Sequence, residues 1–187
     1  MRITGGEWRS RRLEGPGKYK GLRPTPDSMR ERAFAVLGDR VTRSDFLDLY
    51  AGTGAVGLEA LSRGARMVVF VECRRSAAGI IEKNVAAFGL KPDRADLLVA
   101  PASAAIRRLA RREHRFDIAW IDPPFDIWTE GLGVVVQLFD EGLLDEKSVA
   151  CFECPEKATV GGSLPGNLSI FRDLGGGASR VVMITRR

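Results

Sequence analysis

The sequence predicts an α/β fold in which a doubly wound, Rossmann-like sheet of seven mostly parallel strands carries helices on both faces. Apolar strands alternate with amphipathic helices from residue 46 to residue 153, a pattern typical of parallel sheets. A glycine-rich loop follows the first of these strands. Residues 168–185 have two apolar runs around a glycine turn and no helix between them, which predicts an antiparallel C-terminal hairpin.

The predicted elements follow from their local patterns. A first helix begins at Thr25, which is placed to cap it, or at Ser28, which forms a capping box with Glu31; the helix ends at Gly38. The later helices have apolar stripes with the helical period, and Gly64 ends the second helix. Strands are predicted at 46–50, 67–71, 97–100, 116–121 and 149–153, and helices at 55–63, 74–88, 103–112 and 129–140.

Length and charge predict one main domain with a basic appendage. Residues 1–43 contain eleven Lys/Arg and five Asp/Glu, whereas the remaining residues contain eighteen and nineteen, so the positive excess is confined to the N-terminal segment. We divide the chain into a basic N-terminal arm, residues 1–24, and a larger domain, residues 25–187. The arm interleaves cations with Trp8 and Tyr19, which favours an RNA contact; a solvated face is the alternative.

The hydropathy and cysteine patterns argue against several classes of protein. No apolar run approaches the length of a membrane span, and the N-terminus lacks the apolar core of a signal peptide, so we expect a cytoplasmic protein without membrane contact. We also expect a monomer, although no sequence pattern indicates the oligomeric state. Cys151 and Cys154 form a C-x-x-C pattern on a predicted strand, where residues three apart point to opposite faces. We therefore expect buried thiols and neither a disulfide framework nor a metal site.

The stretch AGTGAVG, residues 51–57, has the G-x-G-x-x-G pattern of a cofactor loop. A dinucleotide would place its pyrophosphate at the following helix N-terminus, whereas S-adenosylmethionine (SAM) has no phosphate. In both cases Glu72, twenty residues after Gly52, is placed to accept the ribose hydroxyls. Asp48 tilts the interpretation toward SAM, because dehydrogenases usually have apolar residues through that strand. We interpret Gly57 as a helix–sheet packing position.

The stretch FDIAWIDPPFD, residues 116–126, ends a predicted strand with an acid, two prolines and an aromatic ring. Carboxyl ends of parallel strands meet at one edge of the sheet, so this turn is expected beside the glycine loop. The residues of this turn suit an enzyme that transfers a methyl group to an exocyclic amino group of a base. The Asp122 carboxylate and the Pro123 carbonyl accept the two N–H hydrogens, Phe125 stacks on the base, and the prolines fix the geometry. A plain turn, the alternative, requires neither the acid nor the ring.

Four segments together resemble the family of 16S rRNA guanine-N2 methyltransferases, the ribosomal small-subunit methyltransferase D group. They are MRITGGEWRSRRL, GLRPTPDSMRERAF, DLYAGTGAVGLEALSRGA and IDPPF, in the family's order and with similar spacing across nearly the whole chain. The resemblance implies a SAM-dependent enzyme that methylates N2 of one guanine in 16S rRNA, on an assembling small subunit.

The resemblance also implies roles for individual residues. The expected catalytic residues are Asp122, Pro123, Pro124 and Phe125, and the expected RNA contacts are Arg9, Arg11, Arg12 and Arg23. The candidate cofactor-binding residues are Thr25, Asp48, Tyr50, Ala51, Gly52, Thr53, Gly54, Glu72, Cys73 and Ser103. Family enzymes often have Asp or Asn after the third strand for the adenine amino group. Here Pro101 stands near that position, and Ser103 is the nearest polar substitute or else a helix cap.

Three other functions remain open at the level of the residues. An adenine-N6 DNA or RNA methyltransferase would use the same Asp-Pro-Pro-Phe turn. A non-catalytic RNA-binding assembly factor would have no need for an intact Asp122. An NAD-dependent oxidoreductase lacks a placed hydride-transfer acid, since the lone His114 is expected on the surface.

Overall fold

A computed structural model of the chain describes residues 1–15, 17 and 25–187. These residues form a seven-stranded sheet with the strand order β3-β2-β1-β4-β5-β7-β6. The strands are β1 (Asp45–Leu49), β2 (Met67–Glu72), β3 (Ala95–Val99), β4 (Ile118–Ile121), β5 (Val149–Pro155), β6 (Leu168–Leu174) and β7 (Ser179–Arg186). The helices are α1 (Asp27–Leu37), α2 (Ala55–Ser62), α3 (Arg75–Ala87), α4 (Ala102–Ala110) and α5 (Trp128–Asp140).

The sheet confirms the predicted doubly wound architecture. Strands β1 to β5 pair in parallel, whereas β7 is antiparallel to both β5 and β6. The predicted boundaries of the elements differ from the observed ones by one or two residues. The strand order reverses between β1 and β4, which places the usual ligand crevice of such folds at the carboxyl ends of these two strands.

The start of α1 differs from the prediction. The helix begins at Asp27 after Pro26, and no side chain makes a capping hydrogen bond there. The predicted cap at Thr25 and the capping box of Ser28 and Glu31 are therefore wrong. Pro26 has a fixed φ and lies just before the first turn, where a missing N–H costs nothing.

Each face of the sheet has its own hydrophobic core. One core joins α1, α2 and α3 to the residues Ile3 and Leu13, and the other joins α4 and α5 to the opposite face. Cys151 lies in the first core and Cys154 in the second, so the two thiols point to opposite faces, as the strand period predicted. Among the described residues no helix is long and apolar enough to cross a membrane.

The N-terminal residues 1–15 pack against this first core. An antiparallel bridge joins Arg2 to Arg12, and Ile3 is fully buried. The Thr4 amide and hydroxyl donate to the buried carboxylate of Glu59 at 2.8 and 2.7 Å. Glu59 also lies 3.9 Å from the buried guanidinium of Arg30. The basic segment is thus fixed to α1 and α2. The domain division at residue 24 stays a prediction, because residues 18–24 lie outside the described part of the chain.

Candidate active site

A cavity of about 410 Å³ opens at the carboxyl ends of β1 and β4. It brings together eight of the ten predicted cofactor residues and all four predicted catalytic residues. Several other residues line it without a role predicted from the sequence, among them Arg74, Trp120, Ile127 and Glu153. The predicted residues that line it are Thr25, Asp48, Tyr50, Ala51, Gly52, Thr53, Glu72, Cys73, Asp122, Pro123, Pro124 and Phe125. Gly54 belongs to the same loop without lining the cavity.

The glycine loop makes a tight left-handed turn below this cavity. Tyr50, Gly52 and Gly54 have φ values of 62°, 57° and 77°. A positive φ is strained for a tyrosine and unstrained for glycine, which explains the residue types at the last two positions. A Cβ atom added to Gly57 would lie 2.7 Å from Cγ1 of Val68. Gly57 is therefore the close-packing position between α2 and β2 that we expected.

Two carboxylates bind the amides of this loop. Asp48 Oδ2 accepts a hydrogen bond from the Gly57 amide at 2.9 Å, and Glu72 Oε2 accepts one from the Gly52 amide at 3.0 Å. Both side chains are buried. Burial raises the pKa of Asp48 from 3.8 to about 7, the Gly57 amide opposes this rise, and the nearby Glu72 charge adds to it.

The acids Asp48 and Glu72 favour SAM over a dinucleotide as the cofactor. In a dinucleotide enzyme the first amides of the helix after the loop bind pyrophosphate, so Asp48 on the Gly57 amide would compete with that ligand and, when ionised, repel it. A cavity lined by Asp48 and Glu72 instead suits a ligand with positive charge and hydroxyl donors. The sulfonium, ammonium and ribose hydroxyls of SAM provide these groups. The carboxylate acceptors of the site therefore fit SAM.

The Asp-Pro-Pro-Phe turn follows β4 and lines the same cavity. The side chain of Pro123 packs against α5 at Gly131, where an added Cβ atom would lie 3.0 Å from the Cβ of Pro123. The half-buried side chains of Asp122 and Phe125 line the cavity. A glycine in α5 thus allows the helix to hold the first proline of the turn in place.

Thr25 connects this turn to a second acid. Its hydroxyl lies 3.2 Å from Asp122 Oδ2 and 2.8 Å from Glu153 Oε2, and Ser179 donates to Glu153 Oε1 at 2.9 Å. The carbonyl of Thr25 accepts a hydrogen bond from buried Arg30 at 3.0 Å. Sequence reasoning missed Glu153, although an acid inside the apolar strand ACFEC is a signal that could have identified it.

Ser103 lies outside this main cavity. It lines a neighbouring cavity of about 430 Å³ together with Pro101. The alternative role of Ser103 as a helix cap is wrong, because α4 begins at Ala102 after Pro101. The two cavities share Tyr50, Cys73 and Ile127. They are therefore adjacent, and an elongated ligand in the main cavity can extend toward Ser103.

The predicted RNA contacts occupy two environments. Arg9 and Arg12 are exposed. Arg11 is exposed as well, but its guanidinium donates to the carbonyl of Ala87 and lies 4.0 Å from the centre of the Phe88 ring. Arg11 therefore contributes to packing on α3. Arg23 lies outside the described residues, as does Tyr19. No cluster of metal-ligating side chains occurs in the described part of the chain.

Solved structures share this fold over its whole length. The yhhF protein of Escherichia coli, described as a candidate methyltransferase, is 32% identical with a TM-score of 0.80, covering 100% of this chain and 98% of that one. A hypothetical protein of Thermus thermophilus is 28% identical with a TM-score of 0.81, covering 98% of each chain. Together, the fold and the site define the class: this chain is a SAM-dependent methyltransferase.

A family model gives the finer assignment. The model described as Conserved hypothetical protein 95 matches residues 1–185, and the chain belongs to this family. It is also 35% identical over 175 residues to ribosomal RNA small subunit methyltransferase D of Escherichia coli strain K12, which covers 92% of this chain and 83% of the relative. These similarities confirm the resemblance, the fold, the enzyme class and the cofactor that the sequence predicted.

Proposed function

We propose that this enzyme transfers the methyl group of SAM to the N2 amino group of one guanine in 16S rRNA. The observation that carries the proposal is the position of Asp122, Pro123, Pro124 and Phe125 in the same cavity as the glycine loop. The 35% identity to ribosomal RNA small subunit methyltransferase D supports rRNA as the substrate class. We further propose that the enzyme acts as a cytoplasmic monomer on assembling small subunits.

The cofactor end of the site is formed by the glycine loop and its two acids. SAM, when bound, supplies an electrophilic methyl group on a positively charged sulfonium. Glu72, at the end of β2, is placed to bind the ribose hydroxyls while it holds the Gly52 amide. Asp48 adds negative charge to the cavity floor once it ionises. Tyr50 and Cys73 line both cavities, so an adenine group held between them would lie on the side toward Ser103.

The catalytic end of the site orients a weak nucleophile. The lone pair of an aromatic amine is delocalised into the ring, so the nitrogen attacks well only when it becomes more pyramidal. Asp122 and the Pro123 carbonyl accept the two N–H hydrogens and aim the lone pair toward the glycine loop. Phe125 stacks on the base and fixes its plane. The methylated nitrogen is acidic and releases its proton without a strong base.

The substrate must reach this cavity as an unstacked base, because the target amine is otherwise inside the RNA structure. Arg9 and Arg12 are the exposed cations of the N-terminal segment that we assign to the RNA backbone. Thr25, just before α1, lies within hydrogen-bond distance of Asp122. Arg23, outside the described residues, stays a predicted RNA contact.

The proposal is tested by identifying the methylated nucleoside. We would incubate the enzyme with labelled SAM and either undermodified 30S particles or duplex DNA, digest the nucleic acid and separate the nucleosides. N2-methylguanosine from the particles is the expected product. N6-methyladenine would instead assign the site to the adenine enzymes. Particle binding without any methylated product would identify a non-catalytic assembly factor.

A further inference from the structure

Glu153 is a second carboxylate beside the catalytic turn. Strands β4 and β5 are parallel neighbours, and Ile121 lies opposite Phe152 in their register. Asp122 and Glu153 follow these two residues at the same level of the sheet edge. Both line the main cavity, and Glu153 is only 3% exposed. The sheet itself therefore places two acids side by side at the base-binding end of the site.

Two hydroxyls hold Glu153 in a fixed orientation. Thr25 Oγ1 lies within 3.2 Å of an oxygen of each acid, and Ser179 Oγ donates to the other oxygen of Glu153 at 2.9 Å. Thr25 is itself fixed, because the buried Arg30 guanidinium donates to its carbonyl. A carboxylate accepts several hydrogen bonds at once, so such contacts orient Glu153 while allowing a further donor.

The chemistry of two adjacent carboxylates distinguishes guanine from adenine. The Watson–Crick edge of guanine presents two neighbouring donors, N1–H and the N2 amine. The edge of adenine presents an N6 amine beside the lone pair of N1. Two acids match a donor–donor edge, whereas an adenine would direct its N1 lone pair at the second acid, so that two buried acceptors would face each other.

We propose that Glu153 is the residue that reads guanine, by accepting the N1–H hydrogen while Asp122 accepts an N2–H hydrogen. This inference rests on the proposed function and deepens it, because the Asp-Pro-Pro-Phe turn alone suits either base. Glu153 thereby contributes specificity, and Asp122 contributes the orientation of the reacting amine.

The test uses Glu153→Gln and a substituted RNA. Once the methylated guanine is mapped, particles are reconstituted with 2-aminopurine at that position, which keeps the N2 amine and has a lone pair at N1. The wild-type enzyme should prefer guanine by roughly 100-fold in kcat/KM, the usual scale for an unpaired buried hydrogen-bonding group. Glu153→Gln should reduce this preference at least tenfold, because the glutamine amide donates to the N1 lone pair.

The guanine preference of Glu153→Gln is compared with that of the wild-type enzyme. This comparison removes effects that are common to both enzymes, such as the absence of the O6 atom in 2-aminopurine. Asp126→Ala is the control: its side chain is exposed and does not line the main cavity, so this variant should keep the wild-type preference for guanine. An unchanged preference in Glu153→Gln would overturn the inference. If that variant fails to bind SAM or to fold, the wild-type enzyme still decides, because equal methylation of the two RNAs would also overturn it. Failure of the wild-type enzyme to methylate any guanine would instead contradict the proposed function.

Discussion

At the scale of the single residue, the proposed chemistry depends most on Asp122, which lines the cavity beside the glycine loop. Asp122→Ala removes an acceptor for the reacting amine and leaves Asp48, Glu72 and the glycine loop in place. We expect kcat to fall roughly 100- to 1,000-fold, the scale of losing one placed electrostatic group, with the Kd for SAM changed less than about threefold. Single-turnover methylation and calorimetric SAM titration measure the two quantities.

The neighbouring residue Asp126 provides the matched control. It is exposed and does not line the main cavity, although it lies in the same turn. Asp126→Ala should therefore leave kcat within a factor of two or so, since most surface substitutions act weakly. Loss of SAM affinity in Asp122→Ala would place this residue in the cofactor subsite and not at the amine.

Asp48 gives the folded protein a specific pH dependence. Its pKa is raised by burial from 3.8 to about 7. At any pH between these two pKa values, Asp48 is mostly protonated in the native state and mostly ionised in the unfolded chain. The contribution of Asp48 to stability therefore falls as the pH rises through this window. From pH 5 to pH 8 the loss is roughly 3 kcal/mol without cofactor.

Urea unfolding of wild type and Asp48→Asn at pH 5 and pH 8 isolates this contribution. Asparagine keeps an acceptor for the Gly57 amide but does not titrate. The loss of unfolding free energy between the two pH values should be smaller in the variant by about 3 kcal/mol. Equal losses in the two proteins would show that Asp48 is ionised throughout the window.

The residues that sequence reasoning identified are those whose roles follow from local motifs and sheet topology. Glu72 and Asp122 directly follow predicted strands, and Asp48 lies within the predicted strand that leads into the glycine loop, so the topology brings these residues to one edge. Thr25 was predicted both as a helix cap and as a cofactor-binding residue, yet its hydroxyl lies within hydrogen-bond distance of acids 97 and 128 positions away, which neither prediction included. No periodicity encodes such a contact, because it depends on how α1 is packed against β4 and β5.

At the scale of the element, α5 supports the catalytic turn through one glycine. A Cβ atom added to Gly131 would lie 3.0 Å from the Cβ of Pro123 and 3.1 Å from Cε2 of Phe152. Gly131→Ala should therefore push Pro123 out of position. We expect a stability loss of about 1–3 kcal/mol, the usual cost of overpacking, together with a clear fall in kcat.

Gly133, two residues further along α5, is the matched control, because an added Cβ atom there meets nothing within 4 Å. Gly133→Ala should raise the unfolding free energy by roughly 0.5–1 kcal/mol through helix propensity. Thermal unfolding and methylation assays of both variants test the comparison. Similar stability in the two proteins would mean that the turn adjusts to α5 without strain.

At the scale of the whole molecule, the structure separates the N-terminal residues 1–15 into contacts that pack on the domain and cations that are exposed. Composition predicted an arm on a near-neutral body, and the sequence could not show how the segment is attached. Buried Asn84 on α3 binds the backbone of Glu14 and also the Thr53 carbonyl of the glycine loop, at 3.1 and 3.0 Å. Asn84 therefore links this segment to the glycine loop, and only part of the charge of the segment faces outward.

The outward charges of Arg9 and Arg12 provide the last prediction. Each phosphate contact contributes about 0.7–0.9 to the slope of log K against log salt, so replacing both arginines by glutamine should lower the magnitude of that slope by up to about 2. Arg11 is kept, because it packs on Phe88 and its loss would disturb α3.

Arg107 and Arg108 provide the charge-matched control. They are exposed as well, but they lie on α4, on the opposite face of the sheet. Fluorescence anisotropy with a 16S rRNA fragment measures the slopes. The salt concentration is varied between about 50 and 200 mM, a range over which the loss of phosphate contacts changes the affinity strongly. If both double variants change the slope equally, the RNA surface is not confined to the N-terminal face; if only the Arg107 and Arg108 variant changes it, the surface lies on α4.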